Sequence, residues 1–308
     1  MKLIHQVEIG EADFWEARQF LRWLLVRQDM RQAWHVARLD YARWHVRLNC
    51  EQNSSLEGFF QLWREADGRI VAALLSEGRG EAHFQVDPAI YSAELLEQML
   101  AAAEARQSVA LEDGHRRLDA FAHSLDPQLP GLLEQRGYRR LEQPEHLRRR
   151  ALEGEILRCV PAPGYSVRPL GEAGELPARS WVSWKAFHPD APDEAYEGWA
   201  WYHNIQRQPL YRRDLDWVAV APGGELVGFT TIWYDDVTRS GYVEPVGVHP
   251  GHQRKGLGKA VMSAALLELQ RLGATLAYVG SYSPGAHALY AAMGFTRFDL
   301  LTAYRREW

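Results

Sequence analysis

The stretch Val246-Gly247-Val248-His249-Pro250-Gly251-His252-Gln253-Arg254-Lys255-Gly256-Leu257-Gly258-Lys259 decides the reading of the chain. Its apolar start ends at a proline, the pattern of a strand running into a short loop. Beyond the loop, Leu257, Val261, Ala264, Ala265, Leu269 and Leu272 recur at three- and four-residue steps, so a helix with one apolar face begins near Gly256. Glycine lets backbone approach a ligand with no Cβ in the way. The first amides of a helix have no partner inside it, and with the helix dipole they favour an anion such as phosphate or pyrophosphate. Lys255 and Lys259, two of four lysines in the chain, flank this turn. Two well-known phosphate motifs fail on the letters. Gly251 and Gly256 have P-loop spacing, but Leu257 stands where that motif needs lysine. Gly256-Leu257-Gly258 begins a dinucleotide fingerprint, but Val261 takes the place of its third glycine.

Outward from this stretch the second half reads as strands and helices in alternation. Strands are expected at 165–170, 217–221, 226–234, 240–249, 276–280 and 300–306, from two-residue alternation or short apolar runs. Helices are expected at 175–187, 195–206, from about 257 to 272, and 286–293, the last closed by Gly294. The order describes an α+β domain with a mostly antiparallel sheet.

The same outline recurs faintly in the first half. Asp67–Ala73 resembles Gly223–Phe229, Val86-Asp87-Pro88 resembles Val248-His249-Pro250, and Gly137–Arg140 resembles Gly294–Arg297, at offsets of 156, 162 and 157 residues. Both halves also end in Arg-rich alternating stretches, Leu147–Arg150 and Tyr304–Arg306. Matches in one order at one offset imply a duplicated unit. A boundary is expected in the Pro/Gly-containing segment 153–164, giving domains 1–152 and 165–308.

Composition agrees and narrows the function. The chain has 308 residues, net charge −5, 46% apolar and 24% charged side chains. That is about two ordinary domains, too apolar for disorder. No run reaches the ~18 apolar residues of a membrane span, and the start turns acidic too early for a signal peptide. Basic and acidic side chains number 20 and 23 in residues 1–150 and 15 and 17 in the rest, so no basic half offers itself to nucleic acid. Cys50 and Cys159 cannot build a disulfide framework and read as reduced thiols of a cytoplasmic protein. No metal site, nucleic-acid partner or membrane contact is expected, and oligomeric state is not encoded.

Gln253, Gly256 and Gly258 fill the pattern Gln/Arg-x-x-Gly-x-Gly/Ala after a strand ending in Val-x-Pro. Ala286-His287-Ala288-Leu289-Tyr290-Ala291-Ala292-Met293-Gly294-Phe295 resembles Ala-x-x-Leu-Tyr-x-x-x-Gly-Phe, and Tyr290 follows Gly256 by 34 residues. On these two motifs residues 165–308 resemble a GCN5-related N-acetyltransferase (GNAT) domain, and the chain as a whole resembles tandem members of that superfamily. The resemblance implies two GNAT-like domains, each a mostly antiparallel mixed sheet flanked by helices, and acetyl-CoA as cofactor. It implies a pyrophosphate on the amides of Arg254, Lys255, Gly256, Leu257, Gly258 and Lys259, with Gln253 in the motif. A pantetheine arm would pair with the backbone of Val246, Gly247 and Val248. Ser283 stands where the family often has asparagine, and offers one donor where asparagine offers more.

Transfer of acetyl from a thioester to an amine needs a proton acceptor, since an alkyl ammonium has a pKa near 10.4. Glu244 is the candidate base, four residues before Val248 and on the face of Val246 and Val248 by strand alternation. The Val248 amide is the candidate oxyanion donor. Tyr290, matching the family's tyrosine near the CoA sulfur, is the candidate acid. His249 and His252 are bases by type, but their loop position favours exposure. Asp235 and Asp236 read as solvated turn residues. Trp181, Trp184, Trp199, Trp201 and Tyr202, with His188, Asp190, Asp193 and Glu194, are expected to wall an acceptor site for a cationic amine, or simply to pack the helices.

The first half lacks the chemistry. Ala89–Ala93 contains no glycine, and Leu133 takes the place of Tyr290. A degenerate unit without cofactor is expected there, with helices at 11–27 and 32–49. The activity expected is acetyl-CoA-dependent acetylation of a primary amine on a small molecule. A protein or peptide N-acetyltransferase and a non-catalytic acyl-CoA-binding module stand as alternatives.

Overall fold

The computed structural model describes residues 3–308. These form two compact units, one running to His146 and including Asp299–Trp308, the other Leu147–Phe298.

The first unit contains β1 (Ile4–Gln6), α1 (Glu11–Arg27), α2 (Val36–Tyr41) continuing as a π-helical stretch Ala42–Cys50, β2 (Phe60–Arg64), β3 (Ile70–Leu75), β4 (Glu81–Val86), α3 (Ala93–Arg106), β5 (Val109–Ala110), β6 (Arg116–His123), α4 (Leu129–Gln135) and β7 (Arg139–Arg140). The second contains β8 (Glu145–Ala151, from Leu147 on), β9 (Ser166–Pro169), α5 (Leu176–Phe187), α6 (Tyr202–Gln206), β10 (Asp216–Val220), β11 (Leu226–Asp235), β12 (Ser240–Val248), α7 (Leu257–Arg271), β13 (Leu276–Ser281) and α8 (Pro284–Ala292). The last strand, β14 (Arg297–Glu307), returns to the first unit and pairs antiparallel with β6 from Leu301 to Glu307. The sheets therefore run β1-β2-β3-β4-β6-β14 and β8-β13-β12-β11-β10-β9. In each, one central pair is parallel, β4 with β6 and β12 with β13.

This division differs from a cut at 152 and 165. Each sheet is completed by the Arg-rich strand that follows the other half's last helix, so β8 serves the second unit and β14 the first. The segment expected as a linker is bound into the second unit. Leu152 and Ile156 are buried in its core, the Leu157 carbonyl accepts from Ser263 at 2.7 Å, and the Ala162 amide donates to the Lys255 carbonyl at 3.0 Å.

The duplication is visible in matching turns. Gly68 and Gly224 take φ +92° and +95° in hairpin turns closed by Gly68 N–H to Glu65 and Gly224 N–H to Ala221. Gly137 and Gly294 end α4 and α8 at φ +86° and +83°. After them Tyr138 donates to the Leu133 carbonyl, and Phe295 to that of Tyr290, both at 2.9 Å.

The apolar stripe of α7 covers one face of the second sheet. Val261 packs with Ala219 and Val227, and Leu266 and Leu269 pack with Ile232, Val243 and Ala277. On the other face α5 lies so close that a Cβ on Gly247 would sit 2.4 Å from the Phe229 ring and 3.0 Å from Ala186. Two expected helices are altered. Residues 195–201 are not α-helical, because Gly198 takes φ +96° and only α6 forms. The 32–49 helix starts at Val36 and widens into the π-helical stretch.

Candidate active site

The expected site lies where β12 and β13 part. Their parallel pairing covers only Ser240–Tyr242 against Leu276–Tyr278, although β12 runs on to Val248. On its other edge β12 stays paired to β11, with Phe229 opposite Gly247 and the His249 amide bonded to Val227. In an antiparallel ladder the bonding direction alternates. Gly247 thus turns its N–H and C=O toward β11, while Val246 and Val248 turn theirs to the open side. An apolar strand presents a bare backbone edge to the gap.

A bulge sits at the head of this gap. Thr230 is opposite Val246 but Ile232 is opposite Val243, so β12 carries one extra residue at the Glu244-Pro245 step. Val243 and Val246 consequently pack into the same core though three residues apart. The alternation argument that put Glu244 on the face of Val246 and Val248 does not run through the bulge, because an extra residue breaks the two-residue period. The charge of Glu244 nonetheless acts on Tyr290. Burial first, and then the negative charge of Glu244, push the Tyr290 hydroxyl above its ordinary pKa. Tyr290 is 8% exposed, and among the described residues none hydrogen-bonds its hydroxyl. The Trp233 indole donates to the Glu244 carbonyl at 2.5 Å and fixes the bulge, a contact that no motif or periodicity announces.

The loop after β12 is a single 3-10 turn, Pro250–His252, in which the His249 ring accepts from the Gly251 amide at 3.1 Å. Arg254 (φ +63°) and Gly256 (φ +74°) then adopt left-handed conformations. Such alternation turns successive amides inward to form an anion-binding nest. Among the described residues, no acceptor takes the amides from Arg254 to Lys259, and the first helical bond of α7 is Ala260 to Gly256. Leu257 is buried and anchors the helix start; the Gln253, Arg254 and Lys259 side chains are exposed. Six unpartnered amides at the start of a 15-residue helix fit a diphosphate. Lys255 is differently employed. Its ammonium donates to the Tyr165 hydroxyl at 2.7 Å, and Tyr165 also meets His252 at 3.0 Å, which ties the loop to the chain entering β9. Ser283 caps α8, its hydroxyl accepting from Ala286 at 3.3 Å.

His249 is half-buried. Burial, and then the charges of His252 and Lys185, lower its pKa while Asp193 opposes them. The expected acceptor wall is present in part. Trp181 stacks on Trp184, and Tyr196 meets both rings edge-on or tilted, at 5.2–5.5 Å between centroids. Lys185, bonded to Asp193 and the Ala191 carbonyl at 2.9 Å, already lies over the Trp184 ring. Asp190 and Glu194 are exposed, and Tyr202 is buried, donating to Asp216 at 2.5 Å. Beneath the wall Asp216 also pairs with a fully buried Arg179 at 2.9 Å. Asp235 is not solvated. It is buried and takes the Thr238 hydroxyl at 2.7 Å, which closes the β11–β12 turn; Asp236 is exposed. A hollow of about 610 Å³ beside α7, against Cys159 and Trp217, is lined by none of Glu244, Val246 or Tyr290 and is separate from this gap.

The first unit shows a parting of its own but no nest. β4 pairs β6 only through His83. In place of the loop, a buried Asp87 accepts from the Ala89 amide at 3.0 Å, and Ser92 caps α3. Leu133 is fully buried where Tyr290 stands in the other unit.

Residues 177–295 match the family described as the acetyltransferase (GNAT) family. Mycothiol acetyltransferase of Pseudarthrobacter chlorophenolicus is 29% identical over 218 residues, 63% of this chain and 62% of that one. The Paenarthrobacter aurescens enzyme of the same name is 34% identical over 147 residues, 40% and 45% of the two chains. The chain thus spans less than two thirds of the length of these curated relatives. Among solved structures, a GCN5-related N-acetyltransferase from Sphaerobacter thermophilus superposes with a TM-score of 0.68 at 16% identity, covering 99% of this chain and 95% of that one. A tandem GNAT protein from the clavulanic acid biosynthesis pathway does so with a TM-score of 0.68 at 15% identity, covering 99% and 98%. The family's signature thus lies in the second unit, and the fold of GNAT structures, a tandem one among them, extends over the whole chain.

Proposed function

We propose that this protein acetylates the primary amine of a small molecule at the expense of acetyl-CoA, with the reaction in the second unit. The observation that carries this reading is the bare edge of β12 leading directly into six unpartnered amides, with Glu244 and Tyr290 beside the same gap. Bound acetyl-CoA would supply the acetyl group as a thioester. The amides of Arg254–Lys259 hold a diphosphate, and the N–H and C=O groups of Val246 and Val248 pair with an extended arm as another strand would. The Val248 amide offers a donor to a developing oxyanion. Glu244 accepts the ammonium proton, directly or through water. Tyr290, kept protonated by burial and by Glu244, holds a proton for the departing sulfur. The first unit, with Asp87 at its turn and no left-handed loop, takes no cofactor. Relatives named for mycothiol acetylation make a small-molecule acceptor the first to test, and we place the reaction in the cytoplasm.

The test is acetyl-CoA titration by calorimetry together with consumption assays on an amine panel that includes the unacetylated form of mycothiol. Wild type is expected to bind one acetyl-CoA and turn over at least one amine. Gly256→Asp forces a side chain onto φ +74° and a carboxylate onto the nest, and is expected to weaken binding by 100-fold or more. Unchanged affinity in that variant overturns the loop assignment. Tight binding with no amine acetylated favours a non-catalytic acyl-CoA module, and acetylation confined to peptides moves the acceptor to protein.

A further inference from the structure

The first unit carries a second cluster of chemistry at the place that corresponds to the Glu244 bulge. Val86 pairs with Ala72 as Val248 pairs with Gly228. Counting back along β4, His83 opposite Leu75 stands where the second unit has its Glu244-Pro245 step. His83 is 1% exposed, stacked on Phe121 at 4.2 Å and against Trp34 at 4.7 Å. Among the described residues neither ring nitrogen has a hydrogen-bond partner, and Nε2 lies 3.7 Å from Oε2 of Glu81. A buried imidazole with both nitrogens unsatisfied requires an explanation.

The surroundings supply one. Glu77, Glu81 and His83 each offer one ligand atom, all within 4.8 Å of one another. Arg38 pairs with Glu77 at 2.6 Å and with Oε2 of the buried Glu145 at 3.1 Å. Glu77 and Glu145 thus share one guanidinium, and Glu81 lies beside the unsatisfied imidazole. A bound cation gives the imidazole and the two turn carboxylates a common partner.

We propose that the first unit binds one divalent transition-metal ion through a ring nitrogen of His83 and one oxygen each of Glu77 and Glu81. Metal–ligand bonds of ~2.1 Å place tetrahedral ligand atoms roughly 3.4 Å apart, so the cluster needs only a slight contraction. An imidazole ligand selects zinc-type ions over magnesium or calcium. Arg38 does not block the site. A carboxylate offers about four acceptor positions, and the guanidinium orients Glu77 as an outer partner. Glu77 and Glu81 flank the turn between β3 and β4, so the ion fastens that hairpin and leaves a position open to water. The sequence hid this site, since Glu77-x3-Glu81-x-His83 has no familiar ligand spacing, and no metal was expected from it.

The probe is zinc chloride titrated into full-length, chelator-stripped protein, with magnesium chloride as comparison. One equivalent of zinc is expected, bound at least 100-fold more tightly than magnesium, with a zinc-dependent rise in melting temperature. Glu81→Gln, at a part-exposed side chain, and His83→Gln are expected to weaken zinc by 10-fold or more. Cys50→Ser, which removes the thiol 3.9 Å from His45, is expected to bind zinc as wild type does. Absence of saturable zinc uptake overturns the proposal. So does uptake that survives Glu81→Gln or disappears in Cys50→Ser.

Discussion

Glu244 and Tyr290 come from a strand and a helix far apart in sequence, and the charge of Glu244 adds to burial in raising the Tyr290 pKa; the proposed reaction uses the first as proton acceptor and the second as proton donor. If Glu244 takes the amine's proton, Glu244→Gln lowers kcat about 100-fold or more, within the usual range for loss of a general base. His249→Asn, at a ring already engaged by Gly251, changes it less than 10-fold. Tyr290→Phe lowers kcat with little change in acetyl-CoA affinity, since no hydrogen bond to the protein is lost. Steady-state rates with calorimetric affinities check all three. A His249→Asn loss as large as that of Glu244→Gln transfers the base to the loop. Gly256 was legible in the sequence because its positive φ leaves its mark as glycine, whereas Arg254 at φ +63° left none. Tyr290 was legible by its motif. The Lys255–Tyr165 bond was not, because it joins residues 90 apart whose meeting depends on the folded sheet. The bulge beside Glu244 was hidden for a related reason: it changes strand parity without changing composition.

At the level of elements, periodicity exposed the helices' apolar faces but not their winding. Residues 42–50 form a π-helical stretch, in which the Glu51 amide reaches back five residues to Val46. The stretch holds His45, whose Nδ1 meets Asn49 at 3.1 Å. Burial lowers the His45 pKa from 6.5 to about 4. The unfolded chain therefore binds a proton between pH 6.5 and 4 that the folded chain does not, so stability falls as pH drops through that window. Partial exposure of the ring reduces the effect to about 2 kcal/mol. Urea denaturation at pH 7 and pH 4.5 is expected to show this loss beyond that of a His45→Gln variant. Equal losses in both would mean that His45 is not held neutral.

At the scale of the whole molecule, the repeat was legible while the exchange of closing strands was not. Leu147–Arg150 and Tyr304–Arg306 look alike because each completes a sheet of the same design, and likeness alone says nothing about which sheet each one joins. The consequence is specific. Deleting Asp299–Trp308 removes the antiparallel partner of β6 along Leu301–Glu307 and the ion pair of Arg305 with Asp119 at 2.7 Å. It also removes Asp299, which pairs with Arg31 at 2.7 Å. All three losses fall in the first unit, leaving the amides of β6 an open edge. Hydrogen exchange on the truncated chain is expected to show faster exchange in β6 and β4, while α7 and the β11–β12 pair keep their protection and the 254–259 loop still binds acetyl-CoA. A linear arrangement with independent halves predicts the reverse, because there the last strand would belong to the unit that holds the nest, and its removal would loosen β13 and the loop first.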